Sequence, residues 1–255
     1  MIDPIYIDIN CDMGESYAES IVGNDVAIMP WISSSNIACG FHGGDPQVIE
    51  DTIDLAIKYS VRIAAHPSYP DLEGFGRRRM EMPYQQLIDT VKHQIEIIKE
   101  NTARKGAKLS YIKPHGALYN EAAKDEEVGR AIIQAIQELD PQLALMGLPN
   151  SLLEQLAAQQ RIRYIREAFI DRLYESDGTL VNRKLEGAVL TNVKQATRQF
   201  VGLVKGEVVT RDGSLLSIQA DSFCLHGDNP VAYEIIKSIH MEMSNMNLEL
   251  KRWSH

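Results

Sequence analysis

Side chains able to do chemistry gather in six short passages. These are Asp8-Ile9-Asn10-Cys11-Asp12-Met13-Gly14-Glu15, Cys39-Gly40-Phe41-His42-Gly43-Gly44-Asp45, Ala65-His66-Pro67-Ser68, Lys113-Pro114-His115-Gly116, Glu167 with Asp171-Arg172, and Cys224-Leu225-His226-Gly227-Asp228. Of seven histidines, His42, His66, His115 and His226 lie in these passages. Imidazole beside carboxylate is the material of proton transfer near neutral pH. Lys113 offers a cation for a carboxylate, a phosphate or an oxyanion, or an ion pair with a nearby acid. Gly74-Phe75-Gly76-Arg77-Arg78-Arg79 is a basic loop that either receives an anionic substrate or lies solvated on the surface. Asp45-Pro46 and Asp228-Asn229-Pro230 read as helix N-caps with proline at or near the first helical position, or as helix ends facing an anion. Imidazole with carboxylate also suits a divalent ion, but no HxH or HxxxH spacing occurs, so no tightly bound metal is expected. His93 and His240 fall within predicted helices and His255 is terminal, so none of the three is given a role.

The elements that must position these groups follow from periodicity. β-rich runs are predicted at Pro4–Ile9, Asn36–Cys39, Val61–Ala65, Ser110–Lys113, Leu143–Met146, Arg163–Arg166 and Ser222–Leu225. Amphipathic helices are predicted over Val48–Tyr59, Tyr84–Lys99, Ala122–Leu139, Ser151–Gln160, Asn192–Lys205 and Pro230–Met243. Strands alternating with helices imply a parallel sheet. Seven units suit a closed or nearly closed α/β barrel, with an open doubly wound sheet second. In a barrel the polar passages would fall on the C-terminal rim, where loops converge on active sites. Val208–Leu216 reads as a hairpin turning at Asp212-Gly213. Asp8, Asn10 and Asp12 alternate with Ile7, Ile9 and Cys11, which puts the three on one strand face. A solvated edge strand would tolerate them. A first strand in a βαβ series turns that face inward, where carboxylates need partners.

At 255 residues the chain is predicted to be one domain spanning 1–255. A balance of 26 basic against 35 acidic residues, −9 overall, argues against nucleic acid or an anionic membrane as partner. Three cysteines with no CxxC pair argue against a disulfide framework or structural zinc, and Cys11, Cys39 and Cys224 read as small buried hydrophobes. No apolar run reaches membrane-span length and Met-Ile-Asp-Pro opens no signal peptide, so a cytoplasmic location is expected. Neither GxxxxGK[ST] nor a strand-linked GxGxxG occurs.

The same passages resemble a known family. Asp8-x-Asn10-x-Asp12-x-Gly14-Glu15 and Asn36-Ile37-Ala38-Cys39-Gly40-Phe41-His42-x-Gly44-Asp45 are similar to the opening motifs of the LamB/YcsF family. The likeness continues in His66-Pro67-Ser68-Tyr69-Pro70-Asp71, Gly74-Phe75-Gly76-Arg77-Arg78 and Lys113-Pro114-His115-Gly116-Ala117-Leu118-Tyr119-Asn120. It resumes in Asp171-Arg172-x-Tyr174-x-x-Asp177-Gly178-x-Leu180-Val181-x-Arg183 and closes in Cys224-Leu225-His226-Gly227-Asp228. Leu173 and Asn182 depart from the pattern, away from any candidate site residue.

That resemblance implies a distorted seven-stranded β/α (TIM-like) barrel of the glycoside hydrolase/deacetylase type. It further implies the role of the A subunit in an ATP-hydrolysing 5-oxoprolinase. With its B and C subunits as partners, such an enzyme converts 5-oxo-L-proline, ATP and water into L-glutamate, ADP and phosphate. ATP, with magnesium, would be co-substrate, and self-association stays open. On this reading Asp12, Glu15 and His42 are candidates for the lactam's proton transfers, and His66, His115 and His226 complete the catalytic rim. Lys113, Arg77 and Arg78 would hold a carboxylate or phosphate, with Asp8, Asn10, Asp45, Asp171, Arg172 and Asp228 as further binding candidates. The rivals are a metal-dependent deacetylase or amidohydrolase acting alone, and a non-catalytic binding subunit.

Overall fold

A computed structural model describes residues 4–251; His255 lies outside them. In chain order the elements begin with β1 (Ile5–Ile7), β2 (Ile9–Met13), α1 (Asp25–Ile28), β3 (Ser34–Ala38), α2 (Pro46–Lys58), β4 (Arg62–His66) and α3 (Tyr84–Arg104). They continue with β5 (Leu109–Ile112), α4 (Gly116–Ala122), α5 (Glu126–Leu139), β6 (Ala144–Gly147), α6 (Leu152–Gln159) and β7 (Tyr164–Phe169). The last are α7 (Val193–Val204), β8 (Glu207–Val209), β9 (Leu215–Ser217), β10 (Ser222–His226), α8 (Ala232–Asn245) and β11 (Leu248–Leu250). Seven parallel strands close in the order β10-β2-β3-β4-β5-β6-β7, and β7 pairs with β10. The barrel expectation holds. Helices coat it because their apolar stripes need a wall: Val91, Ile95 and Ile98 of α3 and Ile132 and Ile136 of α5 are fully buried with wall residues Ile9, Ile37, Ile63 and Leu145.

Three predicted elements shift. The expected first strand, Pro4–Ile9, divides. Ile5–Ile7 pairs with β11 outside the barrel, and Ile9–Met13 is the stave between β10 and β3. The division falls at Asp8, whose carboxylate turns into the barrel. The helix predicted over Ala122–Leu139 is two helices. Asp125 accepts from the backbone N–H groups of Glu127 and Val128 and starts α5 afresh, with Glu126 and Glu127 in the first turn. β7 runs to Phe169, past the expected end at Arg166, and so carries Glu167 into the barrel. The hairpin is as predicted: β8 and β9 are antiparallel, and Gly213 at φ +85° supplies the left-handed turn.

The barrel interior is layered and polar. At its floor Asp8 Oδ1 accepts from the hydroxyls of Ser33 (2.7 Å) and Ser34 (2.6 Å). Asp8 Oδ2 accepts from Ser222 (2.6 Å) and from Arg62 Nη2 (3.0 Å). Above it Asn36 Nδ2 donates to Asn10 Oδ1 and to Asp12 Oδ1, both at 2.8 Å, and Tyr111 OH donates to Asn36 Oδ1 at 2.6 Å. Each polar atom here finds a partner, as burial demands.

Candidate active site

At the rim Lys113, immediately after β5, turns inward. Its Nζ lies 2.8 Å from Asp12 Oδ1, 2.7 Å from Glu167 Oε1 and 3.3 Å from both Asn10 Oδ1 and the Cys224 sulfur. Burial works against the Lys113 charge, yet Asp12, Cys224 and Glu167 together hold its pKa well above the usual lysine value. Burial likewise pushes Asp12 up, but His66 and Lys113 outweigh it and hold Asp12 well below the ordinary carboxylate range. Asp12 is therefore a carboxylate with a built-in counter-ion. The Cys224 thiol is pushed up by burial and the Cys11 thiol by burial and Asp12, so both stay thiols.

Beside Asp12 stand three histidines from three loops. His66 closes β4, His42 follows β3 and His115 precedes α4. His66 Nδ1 lies 2.7 Å from the Lys113 carbonyl, and His115 Nε2 lies 2.9 Å from the Phe75 carbonyl. The opposite nitrogens, His66 Nε2 and His115 Nδ1, are 2.9 Å apart. The rings of His42 and His115 stack with centroids 3.8 Å apart. Glu15 Oε1 lies 3.5 Å from His42 Nε2 and 3.4 Å from His115 Nδ1. Burial, then the charges of Asp12 and Asp228, raise the Glu15 carboxyl well above its usual value. Burial and neighbouring histidines push His42 and His115 well below theirs.

Across the rim His226, the last residue of β10, points Nδ1 at Asp171 Oδ1 (2.7 Å), and Asn229 Nδ2 holds the other Asp171 oxygen at 2.9 Å. Burial opposes the Asp171 charge but His226 outweighs it, so its pKa is lowered. An imidazole fixed this way presents Nε2 as a proton acceptor or donor. At the mouth Asp228 is clamped between Arg77 Nη2 (2.6 Å) and Arg183 Nη2 (2.7 and 2.8 Å). Over the histidines lies the loop that carries Phe75 and Arg77. Gly76 has φ +63°, and a Cβ there would stand 2.9 Å from the His115 ring and 3.0 Å from His42, so only glycine lets this loop close.

Among the described residues two groups of donors have ligand atoms within 4.8 Å of one another: Glu15, His42, His66 and His115, and separately Asp12, Cys224 and His226. The Lys113 ammonium already serves Asp12 and Cys224 of the second group.

Of the residues expected at the site, Asp12, Glu15, His42, His66, His115, His226, Asn10, Lys113, Asp171, Asp228 and Arg77 come together. Four do not. Asp8 is the floor network described above, about four residues, roughly 13 Å, down the strand from Asp12. Asp45 caps α2, accepting from Gln47 and Val48, and pins the Ala18 N–H. Arg78 is spent on Asp71 and Glu73. Arg172 donates to the Val181 carbonyl at 2.7 Å and organises its own loop. Lys113 faces the site but serves two carboxylates. Glu167 and Arg183 are additions. Glu167 stood among the polar passages of the sequence without an assigned role, whereas Arg183 has no local signal beyond the motif it sits in.

A closed parallel barrel of seven strands with its acids and histidines on the strand C-terminal rim is a TIM-like β/α barrel. A peptidoglycan N-acetylglucosamine deacetylase domain from Eubacterium rectale shares that fold, with a TM-score of 0.51 at 11% identity over 100% of this chain and 93% of that one. Residues 7–255 match the LamB/YcsF family, and the chain belongs to it. It is 43% identical over 246 residues to the A subunit of 5-oxoprolinase from Bordetella parapertussis, covering 96% of this chain and 98% of that one. The crystal structure of a lactam utilization protein from Thermus thermophilus superimposes with a TM-score of 0.91 at 36% identity, covering 98% of this chain and all of that one. Among the described residues no helix is long and apolar enough to cross a membrane.

Proposed function

We propose that this chain is the A subunit of a cytoplasmic, ATP-dependent 5-oxoprolinase and opens the lactam ring of 5-oxo-L-proline together with the B and C subunits. The observation that carries the reading is the 43% identity, over nearly the whole chain, to a protein named as that subunit. The site's chemistry supports it. A five-membered lactam resists water because amide resonance is strong and ring opening relieves little strain. Phosphorylation of the lactam oxygen by ATP, with magnesium, makes the ring carbon electrophilic and supplies a leaving group.

In this reading the substrate carboxylate takes the place of the Asp228 carboxylate between Arg77 and Arg183, where charge-assisted bonds fix its orientation. His226, aligned by Asp171, takes a proton from water as it adds to the activated carbon. The C–N bond then breaks, and a neighbouring acid gives the departing nitrogen a proton. Asp12 is kept ionised by His66 and Lys113. The second water is consumed in releasing phosphate.

The test is co-expression with the B and C subunits, measuring 5-oxoproline-dependent ADP release and glutamate formation. Both products are expected from the wild type and neither without substrate. Asp12→Asn, His115→Ala and His226→Gln are each expected to lose about 10²–10⁴-fold in turnover. Full activity in all three would overturn the site assignment. A second reading, a hydrolase needing neither nucleotide nor partner, is favoured by the histidine cluster; amide hydrolysis by the isolated chain without ATP would establish it.

A further inference from the structure

Three imidazoles and two carboxylates converge beneath the glycine-bearing loop without enough hydrogens to hold them together. A backbone carbonyl only accepts, so His66 donates its Nδ1–H to Lys113 and His115 donates its Nε2–H to Phe75. In the neutral rings this leaves bare lone pairs on His66 Nε2 and His115 Nδ1, facing each other at 2.9 Å. Two lone pairs at that distance repel unless a proton or a cation stands among them. Glu15 Oε1 and both ring nitrogens of His42 have no hydrogen-bond partner, although Glu15 is 4% and His42 1% exposed. Orphaned groups at such depth are costly. A proton would serve only one facing pair.

An ion would serve Glu15 Oε1, His66 Nε2 and His115 Nδ1 together; His42, stacked parallel on His115 with centroids 3.8 Å apart, lies outside its reach, because a metal sits in the plane of each imidazole it binds. Zinc binds imidazole nitrogen and carboxylate oxygen at about 2.0–2.2 Å, which places neighbouring ligands about 3.3 Å apart along the edge of a tetrahedron. The donors stand at 2.9 Å (His115 to His66) and 3.4 Å (His115 to Glu15), with Asp12 Oδ2 3.3 Å from His66 Nε2. The two carbonyl acceptors on the far ring nitrogens are the outer support that metal-bound imidazoles use to fix tautomer and ring direction. Two imidazole nitrogens beside carboxylates suit a zinc-like transition ion better than magnesium.

We propose that Glu15, His66 and His115 bind one divalent transition-metal ion, with Asp12 as the adjoining carboxylate and His42 stacked on His115 beside it. The proposal does not depend on the lactam reading, because the test reads binding without turnover. The chain is stripped with a chelator and titrated with Zn²⁺ by calorimetry and with Co²⁺ by visible absorption. Expected are one ion per chain, a raised Tm and cobalt d–d bands of a low-coordinate site. His66→Gln and Glu15→Gln are each expected to weaken binding by more than about a hundredfold. His93→Gln, on the exposed face of α3, leaves it unchanged. Circular dichroism checks that each variant is folded, and Glu15→Gln keeps the side-chain volume should His66→Gln collapse. Absence of one-to-one binding would overturn the proposal, as would affinity that survives in folded His66→Gln and Glu15→Gln. Nitrogen-15 shifts showing a proton shared by His66 and His115 in a chain that takes up no ion would do the same.

Discussion

Replacing Lys113 by methionine keeps the length of the side chain and removes its charge. In the wild type the ammonium stands between Asp12 at 2.8 Å and Glu167 at 2.7 Å, and it is only 2% exposed. Removing one member of a buried ion pair strands its partner and costs about 3–5 kcal/mol. Here two carboxylates are stranded, and Asp12 keeps Asn36 Nδ2 at 2.8 Å and His66 Nε2 at 3.3 Å. For a chain of this size each kcal/mol moves Tm by about 2–4 °C, so Lys113→Met is expected to melt about 6–20 °C below the wild type. Adding Glu167→Gln removes the more isolated charge and is expected to restore a substantial part of the loss. Differential scanning calorimetry of the three proteins measures this. A lysine that instead served the substrate's anion would behave differently: Lys113→Met would melt within about 2 °C of the wild type while KM for 5-oxoproline rose. That outcome would refute the internal counter-ion role.

Three further outcomes follow from the rim. Asp171→Asn frees the His226 tautomer without emptying space, and single-turnover assays of the complex should show a loss of about 10²–10⁴-fold with little change in Tm. Arg183→Met removes one jaw of the carboxylate clamp, and steady-state kinetics should show KM for 5-oxoproline raised by about 10–100-fold with kcat less affected. Asp171 and Asp228 both have folded-state pKa values below the ordinary carboxylate value of about 3.9, because His226 in the first case and Arg183 in the second outweigh burial. Between the folded and unfolded values the unfolded chain binds more protons, so their contribution is complete above about pH 3.9 and is lost as pH falls through the folded values. Urea midpoints measured from about pH 6 down to pH 3 should therefore fall less steeply in Asp228→Asn than in the wild type; equal slopes would remove Asp228 from this account.

The barrel was legible in the sequence because its signal is local and repeated: apolar runs and amphipathic stretches alternate, and each polar passage follows a run. The rim was legible for the same reason, since a residue at a strand's C-terminal end can point only a few ways. What escaped is whatever depends on pairing across the barrel. The donor set of Glu15, His66 and His115 comes from the ends of β2, β4 and β5, so a search for histidines at fixed short spacing does not see it. Arg77 and Arg78 are identical neighbours in the chain. The loop turns one toward Asp228 at the mouth and the other onto Asp71 and Glu73, and no local pattern separates them.

Asp8 and Asp12 make the limit sharpest. They are the same residue type on the same face of one continuous segment, and alternation correctly turns both into the barrel. Asp8 meets three hydroxyls and Arg62, so its carboxylate is fully hydrogen-bonded and has nothing left to offer a substrate. Asp12 meets an amide and an ammonium on Oδ1, and its Oδ2 looks at His66 Nε2 from 3.3 Å, a donor position that the ring's own tautomer leaves without a hydrogen. One acid closes the floor and the other stays open at the rim. The difference lies in Ser34, Arg62 and Ser222 on one side and His66 and Lys113 on the other. Those residues stand between 26 and 214 positions away from their acids along the chain, and become neighbours only when the seven strands close. Function in this barrel is therefore set by which inward carboxylates are left incompletely satisfied.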